Sequence, residues 1–310
     1  MIYIQKLERP VLFLCMKKIK KILIFGAEGM FGQEFINYTK NNKLFKTIAL
    51  NRDLVDITDF NKVLNIIKQH KPDVILNCAA LINIDYCENN PTEAWMVNAI
   101  GAGHIVQALN KLNINKTIVL YISTSDVFGN PYKTGFKEND IPLPINVYGW
   151  SKLGGEKILS SEAKINNIKY FIIRTSWLYS QYKDTFVDFV VQSLRDRKPI
   201  PIISDQYNVI TWARDLAKAC EILIMESDTY NSGIYHLTNK SKTQLSKYTI
   251  ALRIADKLKL DKKYCKQDSK NNILKTPRPD CAILKNNKFI LLPNWQESLD
   301  KYLSLKYGKK

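Results

Sequence analysis

Residues 22–32, with the sequence ILIFGAEGMFG, join a short apolar run to three glycines spaced three residues apart. The apolar run predicts a buried β-strand, and residues 29–38 predict an α-helix directly after it. Gly26, Gly29 and Gly32 would allow a tight turn, a close approach of the backbone to a pyrophosphate, and packing of the helix on the strand. The amides at the helix N-terminus would then face the phosphates. The alternative is a strand-to-helix turn that binds no ligand. The pattern of the surrounding chain is needed to choose between the two interpretations.

Farther along the chain, apolar runs of strand length alternate with longer helical patterns. This alternation is typical of a parallel sheet with right-handed crossovers, whose buried strands are continuously apolar. The sequence therefore predicts an α/β fold with a doubly wound parallel sheet of the Rossmann type, and this context favours dinucleotide binding by the glycine loop. The predicted strands are residues 22–25, 47–50, 74–76, 117–122 and 171–173, and the predicted helices are residues 29–38, 59–69, 92–112 and 148–162.

The alternation loosens after about residue 180. We predict a Rossmann domain over residues 17–180 and a smaller C-terminal α+β substrate domain over residues 181–310, some segments of which return to the first domain. Residues 1–16 are predicted to be an extension, and Met16 is an alternative start. The later predicted elements are helices at residues 184–196, 214–226, 244–258 and 295–303, a strand at 234–237, and an ordered irregular segment at 277–293.

The composition excludes several classes of protein. With 45% hydrophobic residues, the 310-residue chain can bury a large core, which argues against disorder. Six cysteines without a Cys-x-x-Cys pair indicate neither a disulfide scaffold nor a metal site, and the three histidines add no ligand cluster. We therefore expect no metal and a reduced, cytoplasmic setting. No apolar run approaches the roughly 20 residues of a membrane span.

The formal net charge is +17, from 46 Lys and Arg against 29 Asp and Glu. Such a charge fits an anionic partner, which could be nucleic acid, a membrane surface or a phosphate-bearing small molecule. The lysines are scattered, however, and the densest run, residues 17–21, is short. Neither a basic helix nor an aromatic stacking platform is present, so we expect no nucleic-acid partner and interpret most of the charge as solvated surface.

The end of the second predicted strand bears on the choice of dinucleotide. A site that prefers NAD usually has an acid there, which binds the ribose 2′-hydroxyl. This chain has the neutral Asn51 and the cationic Arg52, an arrangement that favours the 2′-phosphate of NADPH. Asp53 could partly offset that preference, and Arg52 as an ordinary surface residue is the alternative.

A candidate catalytic set follows the fourth predicted strand. Residues 123–129, STSDVFG, begin at the carboxyl end of that strand, where a doubly wound sheet places its ligand site. A hydroxyl there could bond a substrate carbonyl, although strand-end capping is the alternative. Tyr148 and Lys152, one helical turn apart, share a face. The ammonium would favour the phenolate form of Tyr148, whose ordinary pKa is about 10, and so ease proton exchange.

These elements, in this order, resemble the extended short-chain dehydrogenases/reductases that act on nucleotide sugars. More narrowly, the chain is similar to the dTDP-4-dehydrorhamnose reductase family over roughly residues 18–305. The more specific parts of the resemblance are residues 174–179, RTSWLY, and the late Arg-Pro and Pro-x-Trp elements. The matching stretches are residues 56–59, 77–80, 85–98, 146–148, 174–179, 278–279 and 292–295.

The resemblance implies NADPH-dependent reduction of a 4-keto-6-deoxy sugar nucleotide in deoxysugar or surface polysaccharide precursor synthesis, with NADH as a possible substitute and a homodimer as a possible assembly. It implies catalytic roles for Thr124, Tyr148 and Lys152. The expected substrate-binding residues are Thr124, Ser125, Asp126, Tyr148, Trp177 and Arg278. The expected cofactor-binding residues are Gly26, Gly29, Met30, Phe31, Gly32, Arg52, Asp56, Ile57, Cys78, Ala79, Ala80, Tyr148 and Lys152.

One stretch departs from the family pattern. The family usually has Thr-Asp-Tyr-Val where this chain has Thr124, Ser125, Asp126 and Val127, so the acid is displaced and the aromatic is absent. The sugar itself therefore stays open. An epimerase or dehydratase with retained NAD is one alternative, but the Glu typical of a dehydratase is missing. A non-catalytic regulatory subunit is another, and the complete triad argues against it.

Overall fold

The computed structural model describes residues 19–129 and 135–308, and its centre is a six-stranded parallel sheet. The predicted extension of residues 1–16 and the alternative start at Met16 lie outside the described residues. The strand order is β10-β5-β4-β3-β1-β2, so the chain reverses its direction of travel across the sheet between β1 and β3. The six strands are β1 (Lys20–Phe25), β2 (Phe45–Leu50), β3 (Val74–Asn77), β4 (Ile118–Thr124), β5 (Tyr170–Thr175) and β10 (Gly233–His236).

Helices cover both faces of this sheet, as amphipathic crossovers require. Apolar side chains of α1 and α8 form the core on one face, and those of α2, α5 and α6 form it on the other. The helices between the strands are α1 (Met30–Thr39), α2 (Phe60–His70), α3 (Ile84–Asn89), α4 (Pro91–Trp95), α5 (Gly101–Lys111) and α6 (Val147–Ile165), followed later by α8 (Ala213–Met225).

The helix predicted over residues 92–112 is interrupted by a π-helical turn at Met96–Ile100, which joins α4 to α5. Asn98, fully buried in this turn, exchanges hydrogen bonds with the backbone of Leu81 and donates to Ser151 Oγ at 3.0 Å. The turn thus ties the loop after β3 to α6. The short helix α3 was not predicted, because six residues are too few to show a helical period.

The later part of the chain has its own apolar core. Residues 213–236 nevertheless belong to the central layers, since α8 packs against α1 and β10 pairs with β5. The division into domains at residue 180 stays a prediction. The remaining elements are β6 (Leu178–Tyr179), α7 (Phe186–Arg195), β7 (Ile200–Ile203), β8 (Tyr207–Asn208), β9 (Thr211–Trp212), β11 (Leu245–Ser246), α9 (Lys247–Leu258), β12 (Cys265–Asp268), α10 (Lys270–Ile273) and α11 (Trp295–Tyr307).

None of the helices in the two described ranges has the length and apolar character that crossing a bilayer requires. Within the same ranges, no group of three or more His, Cys, Asp or Glu side chains is arranged to hold a metal ion.

Candidate active site

Two adjoining cavities lie at the carboxyl edge of the sheet, beside the ends of the paired strands β1 and β3, where the strand order reverses. The larger, about 380 Å³, is lined by Thr124, Tyr148 and Lys152 among others. The smaller, about 250 Å³, is lined by Gly26 and by residues that follow β2. Gly29, Cys78 and Ala80 line both cavities and connect them. A crevice at this point of a doubly wound sheet is the expected position of a dinucleotide.

The glycine loop between β1 and α1 forms the junction of the two cavities. Gly26 has a φ of +73°, and a Cβ there would lie 2.5 Å from the backbone nitrogen of Ala79. Only glycine fits this left-handed, crowded position. No side chain caps the N-terminus of α1 at Gly29, which leaves first-turn amides available to an anion. The loop therefore fits a dinucleotide pyrophosphate.

The predicted cofactor-binding residues divide between the cavities. Met30 and Phe31 line the larger one, whereas Arg52, Asp56, Ile57 and Ala79 line the smaller one. Gly32 lines neither, since it is buried within α1. The structure thus brings all of these residues except Gly32 to the walls of one continuous site, and their roles stay predictions.

The charges of the smaller cavity are more balanced than the sequence suggested. The Arg52 side chain is 72% exposed and lies 3.7 Å from carboxylate oxygens of both Asp56 and Glu93. Burial opposes ionisation of Asp56, but hydrogen bonds from Thr58 and the nearby Arg52 hold its pKa below the ordinary value. Arg52 is therefore already shared between two acids.

Packing of α6 against the end of β4 brings Tyr148 to Thr124. Asn146 caps α6 by accepting the Gly149 amide at 2.8 Å. A Cβ on Gly149 would lie 2.3 Å from the carbonyl oxygen of Asp126, so the helix can approach the turn after β4 only because this residue is glycine. Thr124 Oγ1 accepts the Asp126 amide at 3.1 Å, and the Thr124 side chain also bonds the Tyr148 phenol.

Lys152 lies one turn beyond Tyr148 and is almost fully buried. Its Nζ donates to the Ile122 carbonyl at 2.7 Å and lies 4.0 Å from the centre of the Tyr121 ring. Burial lowers the pKa of Lys152 to about 7, against the opposing effect of the Glu156 carboxylate. The ammonium is therefore partly deprotonated near neutrality.

The pKa of Tyr148 corrects one expectation from the sequence. Burial and then the Asp126 carboxylate raise it above the ordinary value, and the hydrogen bond with Thr124 opposes them only in part. The Lys152 ammonium donates its hydrogen bond to the Ile122 carbonyl, and it does not hold the Tyr148 pKa below the ordinary value. Tyr148 is therefore a protonated phenol at neutral pH, which is the form that can donate a proton to a substrate oxygen.

Comparison with known proteins identifies the family of this chain. The family described as "RmlD substrate binding domain" matches residues 20–307. The chain belongs to the RmlD family. The spore coat polysaccharide biosynthesis protein SpsK of Bacillus subtilis is 30% identical over 287 residues, which cover 91% of this chain and 96% of that protein. The dTDP-4-dehydrorhamnose reductase of Aggregatibacter actinomycetemcomitans is 32% identical over 236 residues, 75% of this chain and 78% of that protein.

The solved structure of a dTDP-4-dehydrorhamnose reductase is also similar to this RmlD-family chain. The crystal structure of dTDP-4-dehydrorhamnose reductase from Bacillus anthracis, in complex with NADP, superposes with a TM-score of 0.84 at 29% identity. The alignment covers 93% of this chain and 99% of that one. The Rossmann fold and the family predicted from the sequence are thereby confirmed.

The side of the larger cavity away from the glycine loop is polar and aromatic. Trp177 lines it with a φ of 38°, a left-handed conformation that is strained for a bulky residue and typical of functional positions. Arg278 donates to Asp85 Oδ1 at 3.0 Å and to the Thr276 carbonyl at 2.9 Å. Burial raises the pKa of Asp126, while Arg278 and Lys247 act against it. Ser125 accepts the amide of Asn208 at 2.9 Å.

Several lining residues of this RmlD-family site were missed by sequence reasoning. Lys247, at the start of α9, lines the larger cavity with its ammonium 5.6 Å from the Trp177 ring centre. Gln206 and Leu274 line it from segments far along the chain. No local motif marks these positions, because only the tertiary fold brings them to the edge of the sheet.

A buried ion pair supports the catalytic wall from behind. Arg174 donates from Nε and Nη2 to the two carboxylate oxygens of Glu156 at 2.9 and 2.6 Å, and both side chains are nearly inaccessible to solvent. Ser123 donates to the same carboxylate at 2.6 Å. His236 lies 3.5 Å from Arg174 and contacts the carbonyls of two neighbouring segments. The network joins α6, β4, β5 and β10 next to Lys152.

Proposed function

We propose that this chain is an NADPH-dependent reductase of a 4-keto-6-deoxy sugar nucleotide. The proposed activity is the one for which its relative, dTDP-4-dehydrorhamnose reductase, is named. The observation that carries the proposal is the position of Thr124, Tyr148 and Lys152 on one wall of a cavity that is continuous with the glycine-loop cavity. The names of the similar proteins and the NADP in the similar crystal structure support it. The similarity to SpsK supports a role in polysaccharide precursor synthesis.

The dinucleotide would be held by residues of both cavities. The loop at Gly26 and Gly29 and the N-terminus of α1 would bind the pyrophosphate, with Asp56 and Ile57 at the adenosine end and Cys78 and Ala80 toward the nicotinamide. When bound, NADPH supplies a hydride for a carbonyl carbon.

The side chains of the larger cavity would stabilise the negative charge that develops on the carbonyl oxygen and would supply its proton. Thr124 and Tyr148 would donate hydrogen bonds to that oxygen, and the protonated phenol would then deliver its proton. Lys152, as an ammonium, would stabilise the resulting phenolate. Trp177 would pack against the sugar, and Arg278 with Lys247 would face the diphosphate.

The experiment is a screen of NADPH oxidation across 4-keto-6-deoxy sugar nucleotides that differ in nucleoside and in configuration. We expect turnover with at least one of them, and NMR of the product would then give the configuration at C4. Purified protein that carries stoichiometric NAD(H) and consumes no NADPH with any of these substrates would overturn the proposal. Stable capture of another enzyme without any turnover would do so as well.

For the setting and the assembly, we propose a cytoplasmic homodimer. The cysteines among the described residues are free thiols, which fits a reducing compartment. Trp95 on α4 and Trp150 on α6 are 39% and 43% exposed, and exposed aromatic groups on adjacent helices are typical of an interface. Light scattering should give twice the chain mass of 35.8 kDa.

A further inference from the structure

The larger cavity contains a carboxyl group that the proposed reduction uses neither as an acid nor as a base. Asp126 follows Thr124 by two residues, in the single 3₁₀ turn Ser125–Val127 after β4, and it lines the cavity. Its backbone is held on both sides, because its amide donates to Thr124 Oγ1 at 3.1 Å and α6 packs against its carbonyl oxygen at Gly149. A fixed turn therefore carries this carboxyl group beside the hydroxyls of Thr124 and Tyr148, which would bind the substrate carbonyl.

No structural ion pair neutralises this carboxyl group. Within residues 19–129 and 135–308, no cation forms an ion pair with Asp126, and Arg278 pairs with Asp85 instead. The hydrogen bond from Ser125 Oγ to Asp126 Oδ1 is long, at 3.4 Å. Burial raises the pKa of Asp126, although Arg278 and Lys247 act against it. Once ionised, Asp126 is therefore a stronger base than an ordinary aspartate, and it faces the cavity.

A ketone bound in this cavity would present acidic C–H groups to the same wall. Hydrogens on the carbons beside a carbonyl are acidic, because the negative charge left by their removal passes to the carbonyl oxygen. In a 4-keto-6-deoxy sugar these are the hydrogens at C3 and C5. The hydroxyls of Thr124 and Tyr148 would stabilise charge on that oxygen in an enolate as they would in the reduction. The wall thus holds both parts of an enolising site, a base and an oxyanion-binding pair.

We propose that this site also catalyses enolisation of its keto sugar, with Asp126 as the base. An Asp126 oxygen forms a bond to the hydrogen that leaves C3 or C5, and the C–H electron pair becomes a C=C bond to C4. The carbonyl π pair moves to the oxygen, which takes the proton of Tyr148. The reverse steps restore the ketone, and exchange of the Asp126 proton with water leaves a solvent hydrogen on the carbon. The step consumes no oxidant or reductant, and the inference rests on the proposed function for the class of substrate.

The test is hydrogen exchange in D₂O, with the whole protein, NADP⁺ in place of NADPH, and each keto sugar nucleotide of the NADPH screen. Proton NMR follows the loss of the C3 and C5 hydrogens against an enzyme-free sample. We expect exchange by the native protein, and Asp126→Asn should slow it about 100-fold or more, the usual contribution of a general base. Asp53→Asn is the matched control, because Asp53 is an exposed acid that lines neither cavity. It should exchange within about twofold of the native rate.

Asp126→Glu is a second variant, which keeps a carboxylate on the cavity wall and should exchange at least about tenfold faster than Asp126→Asn. Calorimetric titration with NADP⁺ shows whether each variant retains the folded cofactor site. Native exchange no faster than the enzyme-free rate, or equal rates in Asp126→Asn and the native protein, would overturn the inference. Equal rates in Asp126→Asn and Asp126→Glu would also overturn it, because the carboxylate would then have no part in the exchange.

The exchange and the reduction fail independently, because exchange needs no hydride. Reduction of a keto sugar without exchange would refute enolisation and leave the proposed function intact. Exchange that depends on Asp126, without NADPH oxidation on any of these substrates, would support enolisation and refute the reductase. Neither activity on any of them would refute both.

Discussion

The phenol of Tyr148 is the group on which the proposed chemistry depends most directly. Its raised pKa keeps it protonated, and Thr124 bonds it at the wall of the larger cavity. We expect Tyr148→Phe to lower kcat by about 100-fold to 10,000-fold, the usual range for loss of a general acid, while the dissociation constant of NADPH changes little. Steady-state kinetics and cofactor titration would measure the two quantities.

The matched control for this variant is Tyr264→Phe, which removes a hydroxyl from a tyrosine that lines neither cavity. It should retain near-native turnover. Near-native turnover in Tyr148→Phe as well would show that another group delivers the proton.

The lowered pKa of Lys152 leads us to expect that the rate of the same reaction depends on pH. Its pKa is lowered to about 7, so the ammonium is present below that pH and is lost as the pH rises. If the ammonium stabilises the phenolate, kcat/KM should fall about tenfold per pH unit above neutrality. The measurement is a pH–rate profile from about pH 5.5 to 9 at constant ionic strength.

The groups that act on Lys152 from its surroundings are the Glu156 carboxylate and the Cys78 thiol. Lys152→Arg keeps its charge over the whole range, so whatever activity remains should not show the falling limb. A native profile that stays level to pH 9 would mean that the charge of Lys152 is not required.

Sequence reasoning reached the residues that stand in local motifs and missed those that do not. Gly26 and Tyr148 were found because a turn and a helix face impose a spacing on them. Lys247 was missed because its cavity position depends on where α9 packs, which no spacing records. The direction of the Tyr148 pKa shift was also beyond the sequence, since it depends on the burial of the phenol and on the nearby Asp126 carboxylate, and both follow from tertiary packing.

At the scale of elements, the Glu156–Arg174 pair holds α6 against β5. Both side chains are nearly inaccessible, and the contact is bidentate. Removing one partner leaves a buried charge without compensation, so we expect Arg174→Met to lower the free energy of unfolding by about 3–5 kcal/mol. Urea unfolding followed by circular dichroism would measure it.

Arg253→Met is a suitable comparison, because the Arg253 and Asp300 side chains form an ion pair that is 35% and 23% exposed. Its loss should cost at most about 1 kcal/mol. Equal losses in the two variants would contradict the claim that burial makes the Glu156–Arg174 pair critical.

Element prediction succeeded where one period continued over a long segment. The strands of the central sheet and the helices that cover it were predicted because burial imposes a regular pattern on them. The pairing of β7 with β12 was missed, because each strand has four residues and they pair across more than sixty positions. The break in the helix at Met96–Ile100 depends on tertiary bonds of Asn98 to Leu81 and Ser151, which leave no local signal.

At the scale of the molecule, strand order fixes where a ligand can bind. The reversal between β1 and β3 opens the crevice, and segments from the later part of the chain complete its outer wall through Gln206, Lys247 and Arg278. A site shared in this way fits a reaction between two bound molecules, because each part of the chain can recognise one of them. The predicted division into cofactor and substrate domains agrees with this arrangement and stays a prediction.

The net charge of +17 is also a property of the molecule as a whole, because the lysines are scattered and few of them line the cavities. A positive field of this kind should concentrate anionic ligands near the protein and speed their capture. The field extends about 30 Å at 0.01 M salt and about 8 Å at 0.15 M, so salt should weaken it strongly.

We therefore expect the association rate of NADPH, measured by stopped-flow fluorescence, to fall about tenfold or more between low salt and 0.5 M salt. Uncharged adenosine serves as the control ligand, because the field exerts no net force on it and its association rate should not change with salt. An equally flat response of NADPH and adenosine would show that the surplus charge has no part in ligand capture. If the association rate of NADPH no longer depended on salt in Arg52→Gln, the attraction would come from that one side chain. A field summed over the whole surface would survive the loss of any single cation.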